Sequence, residues 1–321
     1  MNIWNNELIT YKGYPSKEYK VMTEDGQIPI LNMIQQYPLT TRKKTRNFMK
    51  CCFVSGTAFI HAKPAVFLQH GLLGDASNWV TNLLNGNLAF MLADAGYDIW
   101  MENSRGNRWS REHQNYSTDQ DEFWAFSFNE MAKSDLPAAI NFIVKKTGQE
   151  KLYYVGYSQG TTIGKSGTEN QTLFSLAPVT ATKYARSPAI KLLYLPEKLL
   201  WVHIGLSTLF CSGGREHSLN IFFQNRVKVY IARTDAGTSV QNIIHWSQEA
   251  HSGKFQAYDW GSSKKNIEKY QQVPFNDLPT AVWTGEQDLL ADPKDVAILL
   301  SQIKRLLYHK MIPEWAHLDF I

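Results

Sequence analysis

The sequence predicts an α/β fold in which a mostly parallel sheet is covered by helices on both faces. Three observations carry that expectation. First, short continuous apolar runs, Ala65-Val66-Phe67-Leu68-Gln69, Tyr97-Asp98-Ile99-Trp100-Met101 and Leu152-Tyr153-Tyr154-Val155, suit strands buried on both faces. Second, these runs alternate with helix-patterned stretches, Leu88 to Ala95 and Phe128 to Thr147. Third, the run at 152–155 leads directly into Gly156-Tyr157-Ser158-Gln159-Gly160. A serine on a sharp strand-to-helix turn needs small residues two places on either side, because its neighbours approach closely. Such a turn lifts the hydroxyl clear of the sheet edge and aims the N-terminus of the next helix at the reacting atoms.

In chain order, Tyr19-Lys20-Val21-Met22 and Ile28-Pro29-Ile30-Leu31 read as strands joined at Asp25-Gly26, a hairpin-turn signal. Residues 35–63 are polar, basic and without pattern, and read as loop. Strand 65–69 ends in His70-Gly71-Leu72-Leu73-Gly74. Gly96 is placed to stop helix 88–95, and the loop Glu102 to Asn107 follows strand 97–101. Pro137 should kink helix 128–147, which Gly148 ends. After Ser158, the stretch Gly164-Lys165-Ser166-Gly167-Thr168 is a poor helix interior, so that helix should have about two turns. Leu173 to Pro178 resumes as a strand. Residues 183–226, with apolar residues broken by Pro196, read as an insertion above the sheet, leaving 1–182 and 227–321 as the core. Thr280 to Trp283 and Leu306 to Lys310 are the last strands, separated by a helix from about Pro293 to Lys304.

The 321 residues, 44% hydrophobic and 13% aromatic, can bury a sizeable core. A net charge of +4, with only short basic runs such as Arg42-Lys43-Lys44, gives nucleic-acid binding little support. Cys51, Cys52 and Cys211 imply no disulfide framework. The first twenty residues lack the apolar run of a signal peptide, and the run Leu199 to Cys211 is too short to span a bilayer.

A serine hydroxyl becomes a nucleophile only when a base takes its proton, and the base needs a carboxylate to orient it. On a parallel sheet these groups come from loops at the carboxyl ends of strands. Asp288 follows strand 280–283 and His317 follows strand 306–310, so Ser158, Asp288 and His317 stand in the chain order of α/β-hydrolases. Asp292, before Pro293, fits a helix N-cap better, and Asp319 lies too close to His317 to orient it. The negative charge that builds on an ester carbonyl calls for two aimed N–H groups. The backbone N–H of Gln159 should be one, and Leu72, on the loop after strand 65–69, should supply the other. His70 would then be structural. No metal or organic cofactor is required.

Longer words carry a resemblance. Besides His70–Leu73 and Val155–Gly164, they are Leu92–Asp98, Asn103-Ser104-Arg105-Gly106-Asn107, Phe123–Phe128, Ala236-Gly237-Thr238-Ser239-Val240-Gln241-Asn242 and Asp288–Pro293. Together the chain resembles the acid lipase family of gastric and lysosomal acid lipases and their epidermal relatives. The resemblance implies an α/β-hydrolase fold and hydrolysis of neutral-lipid esters, triacylglycerols or sterol esters. It also implies Ser158, Asp288 and His317 as triad, with Leu72 and Gln159 as oxyanion donors. Residues 183–226 correspond to the family's cap and lid, in reduced form, with peripheral contact to a lipid surface. The family is secreted or lysosomal, which would make Asn115-Tyr116-Ser117 and Asn170-Gln171-Thr172 glycosylation sites.

The departures set further expectations. Tyr157 stands where the family usually has histidine, and Glu102 replaces a glycine and would bring a charge to a strand end. Cys211 lacks the family's disulfide partner. The chain ends four residues past His317, which predicts a mobile end without a helix to pack on. The rival reading is a weak or inactive hydrolase fold that binds lipid or a partner.

Overall fold

The computed structural model describes residues 5–35, 63–82, 86–167, 171–187, 190, 193–194, 236–261 and 277–321. The strands are β1 (Ser16–Lys20), β2 (Ile30–Ile34), β3 (Ala65–Gln69), β4 (Asp98–Asn103), β5 (Tyr153–Tyr157), β6 (Thr172–Leu176), β7 (Thr280–Gly285) and β8 (Leu306–Ile312). They form one sheet in the order β1-β2-β4-β3-β5-β6-β7-β8. The β1–β2 and β2–β4 pairs are antiparallel and all the others parallel. The helices are α1 (Asn5–Tyr11), α2 (Leu88–Asp94), α3 (Phe128–Glu130), α4 (Leu136–Thr147), α5 (Gln159–Gly167), α6 (Val240–Ser252) and α7 (Pro293–Gln302). The order of the central strands brings the carboxyl ends of β3, β5, β6, β7 and β8 to one edge, where loops can converge.

The period-two alternation of strand side chains divides the core. Phe67, Trp100 and Tyr154 enter one cluster, with Leu136, Ala139 and Ile143 of α4 and Ile243 and Trp246 of α6. Their neighbours Val66, Leu68, Ile99, Met101 and Val155 enter the other, with Ala89, Phe90 and Ala93 of α2. In α4 the buried positions 136, 139, 140 and 143 follow the 3.6-residue period and form one stripe. A cavity of about 800 Å³ lies on the α2 side, against Val155, Phe174, Trp283 and Ile312. Neither Ser158 nor His317 lines it. No described helix is long and apolar enough to cross a membrane.

Three expectations change. The first strands lie three residues before and two after their expected starts, because the tip between them pairs elsewhere. Ile28 donates its N–H to Glu112 O (3.0 Å) and Gln114 to Gly26 O (2.8 Å), which draws the tip toward 112–114 while Thr23 N still reaches Gln27 O (2.9 Å) across the turn. The irregularity in helix 128–147 precedes Pro137 and takes the form of a π-turn over Met131–Asp135. A proline displaces the carbonyl four residues earlier and cannot donate to it, and the wider turn absorbs that mismatch. The chain end is also packed. Phe320, in the final 3₁₀ turn His317–Phe320, is buried with its ring 4.8 Å from that of Trp315. The pattern-poor segment 36–62, the three cysteines, most of 183–226 and the run 199–211 lie outside the described residues.

Candidate active site

Ser158 follows the last residue of β5, and α5 starts at the next position. Its φ of 53° is left-handed, a conformation costing an L-residue about 1–2 kcal/mol. The two glycines explain how the turn closes. A Cβ on Gly156 would stand 2.6 Å from Gly160 O, and one on Gly160 would stand 2.4 Å from Gln69 O. The strand, the turn and the end of β3 can approach this closely only without side chains at 156 and 160.

Ser158 Oγ lies 2.9 Å from His317 Nε2, and His317 Nδ1 lies 2.8 Å from Asp288 Oδ2. Asp288 is fully buried, and its other oxygen accepts the N–H groups of Leu290 (2.9 Å) and Ala291 (2.8 Å). The carboxylate is thereby fixed, and it requires a proton on Nδ1 of His317. Nε2 is left as an acceptor facing the serine hydroxyl. All three predicted residues meet at the carboxyl edge of the sheet. The competitors do other work: Asp292 caps α7 through the Lys294 N–H, and Asp319 accepts from Ala316 N at 2.7 Å within the His317 turn.

The loop after β3 runs beside the serine, where a Cβ on Gly71 would stand 3.0 Å from Ser158 Cβ. Leu72 is the next residue along this loop. Leu73 next to it has a left-handed φ of 61°. Gln159 is the first residue of α5, where a backbone N–H has no acceptor within its own helix. His70 accepts from Ser104 N at Nε2 (3.1 Å), so Nδ1 carries the proton, donated to Gly71 O (2.7 Å). Burial lowers its pKa, consistent with a neutral ring that shapes the loop.

Two departures take on defined roles. The Tyr157 hydroxyl donates to the backbone carbonyl of His317 (3.0 Å), and its ring sits 5.1 Å from the imidazole. Burial, reinforced by Asp288 and Asp319, raises its pKa well above the usual phenol value and keeps it a donor. Glu102 is the second departure. It is buried in β4, and burial, with Asp135 nearby, pushes its pKa well above the carboxylate range. Beside it Arg105 forms an ion-pair bridge: its Nε lies 2.9 Å from both Asp135 oxygens while Nη1 reaches Asp25 at 2.7 Å. That bridge ties the loop after β4 to the π-turn. Spacing alone could not have revealed it, since its members are 80 and 30 residues apart.

An eight-stranded, mostly parallel sheet with Ser158 on a β5 elbow, and Asp288 and His317 after β7 and β8, defines an α/β-hydrolase. Residues 64–165 match a family described as alpha/beta hydrolase fold, and residues 5–83 match one described as partial alpha/beta-hydrolase lipase region. The chain is 47% identical to mouse lipase member M over all of this chain and 82% of that protein. It is 47% identical to human lysosomal acid lipase/cholesteryl ester hydrolase and 46% to human gastric triacylglycerol lipase, in each case over all of this chain and 86% of the relative. The chain belongs to the acid lipase family of carboxylic ester hydrolases. The alignment with lipase member M runs over 365 positions against 321 residues, so that relative carries internal residues this chain lacks. Among solved structures, a hydrolase from Pseudomonas aeruginosa (TM-score 0.55, 11% identity, 94% of this chain and 92% of that one) shares the fold. So does a thermophilic esterase from Thermogutta terrifontis (TM-score 0.52, 13% identity, 94% and 92%).

Proposed function

We propose that this chain hydrolyses neutral-lipid esters, triacylglycerols or sterol esters, through an acyl-enzyme on Ser158. The observation that carries the reading is the unbroken line of contacts from Ser158 Oγ through His317 to Asp288, at 2.9 and 2.8 Å. Ser158 Oγ attacks the ester carbonyl carbon while its proton passes to His317 Nε2. The imidazolium that forms is held by Asp288. The oxyanion of the tetrahedral intermediate accepts from the N–H groups of Leu72 and Gln159. His317 then protonates the leaving alcohol, and water attacks the acyl-enzyme with His317 again as base. The lipid class rests on the relatives, whose names specify triacylglycerol and cholesteryl ester hydrolysis.

Residues 183–226 act in this reading as a reduced cap over the nucleophile. Its position supports that role: it follows β6, whose Leu176 O accepts the Ser158 N–H at 3.0 Å. The rival reading, an inert lipid-binding fold, draws no support from the geometry of the serine and histidine. The test is turnover of a soluble chromogenic short-chain ester, then of triacylglycerol and cholesteryl ester emulsions, by wild type and Ser158→Ala. Hydrolysis that disappears in the variant, with an unchanged melting curve, supports the proposal. Near-normal turnover by a folded Ser158→Ala protein overturns it.

A further inference from the structure

The segment 236–246 touches both halves of the oxyanion site, although it supplies no reacting atom. At its start, Ala236 N donates to Leu73 O (3.0 Å), holding the loop that carries Leu72. Ala236 O in turn accepts from Arg108 N at 2.6 Å, so the strap is anchored on its far side. Ser239 then caps α6, accepting from Asn242 N (3.0 Å) and donating to Phe126 O. One turn into the helix, the side chains of Asn242 and Trp246 converge on Gln159. Its Oε1 accepts Asn242 Nδ2 at 3.0 Å and Trp246 Nε1 at 2.6 Å, which uses both lone pairs. Asn242 is itself fixed, since its Oδ1 accepts from Phe128 N at 2.9 Å. The Gln159 amide nitrogen lies 3.7 Å from Met131 Sδ. Gln159, Asn242 and Trp246 are all buried.

Gln159 follows a serine held at a left-handed φ, so the peptide that carries its N–H sits in a conformation the backbone would relax if it could. An amide side chain held by two donors fixes the direction of Cα–Cβ at 159, and with it the direction of the N–H. We infer that Asn242 and Trp246 are positioning residues that hold Gln159, and that 236–246 is one brace setting both oxyanion donors. The inference rests on the proposed role of Leu72 and Gln159. It gives the word Ala236–Asn242 a function, since its serine, asparagine and first carbonyl each have a separate place in the brace.

The test uses the full chain carrying Trp246→Phe, Gln159→Leu and both together, assayed on a soluble ester and with a trifluoromethyl ketone that forms a tetrahedral adduct on serine. Trp246→Phe keeps an aromatic ring in the core and removes one donor. It should lower kcat about tenfold with KM little changed, and weaken the ketone by a similar factor. In the Gln159→Leu background the Trp246 substitution should cost nothing more, because its partner is already gone. That last comparison separates positioning from general destabilisation, which would add in either background. Unchanged kcat and ketone affinity in Trp246→Phe would overturn the inference, as would losses that multiply in the double variant. A wild type without Ser158-dependent hydrolysis would instead overturn the reading of the site, and this inference with it.

Discussion

Tyr157 and His317 are joined across 160 residues by a single hydrogen bond, from the tyrosine hydroxyl to the histidine's own backbone carbonyl. The residue beside Ser158 therefore holds the backbone of His317. A Cβ on Gly71 would stand 3.2 Å from the tyrosine ring, so that ring also packs against the loop after β3. Tyr157→Phe keeps the packing and removes the bond, a loss of about 1 kcal/mol. Turnover of a soluble ester should fall about three- to tenfold with KM little changed. Equal kcat in the two proteins would show that the bond does not position His317.

Asp288→Asn tests the tautomer. The asparagine oxygen can still accept from Leu290 and Ala291, which leaves its amide N–H groups facing His317 Nδ1. Nδ1 must then become the acceptor and Nε2 the donor, the wrong arrangement for taking the serine's proton. Turnover should fall by about three to four orders of magnitude, with a much smaller change in melting temperature. Steady-state kinetics with an active-site titration would measure it.

Gly160→Ala should disrupt the elbow. Its methyl group would meet Gln69 O at 2.4 Å and His70 O at 2.8 Å, and both are backbone atoms of a central strand and its loop. Overpacking of this kind costs about 1–3 kcal/mol and here would also displace Ser158. Activity should be lost together with several degrees of melting temperature. A crystal structure of an active Gly160→Ala protein would refute the close approach.

Glu249 gives the fold a pH dependence of known sign. It is fully buried on α6, and burial pushes its pKa from 4.5 up to about 9. Between those values the folded chain keeps a proton that the unfolded chain releases, so stability falls as pH rises through this window. Its neighbour His245, stacked on Phe128 and edge-on to Tyr258, acts in the opposite sense, with its pKa lowered by burial to about 4. That contribution rises with pH and is complete near 6.5. Glu249→Gln keeps an acceptor for Gln256 N and removes the ionisable proton. The variant's melting temperature should gain on wild type from pH 5 to pH 9, by the equivalent of a few kcal/mol at the alkaline end. A constant difference across that range would contradict a protonated Glu249.

The run Leu199 to Phe210 is rich enough in apolar residues to lie on a lipid surface. If residues 183–226 form the reduced cap proposed above, soluble short esters should be accessible without an interface, and interfacial activation should be weak. Trp201→Ala and Leu200→Ser should lower activity on emulsions more than on soluble esters. Equal losses on both would assign the run to the core.

The sequence by itself determined the buried strands, the elbow at Ser158 and the chain order of serine, aspartate and histidine. Each of these is local: a run of apolar residues, two glycines at fixed spacing, or a polar residue just past a strand. Only the tertiary structure decided what holds those groups. Tyr157 reads only as a departure from the family's usual histidine until His317 packs against it, and Glu102 reads as a strand-end charge until the fold buries it near Asp135. Arg105 finds Asp25 and Asp135, and Gln159 finds Asn242 and Trp246, across gaps that no short pattern spans. Burial and long-range hydrogen bonds depend on which strands become neighbours. Sheet order sets that, and a residue's place in the sequence does not record it.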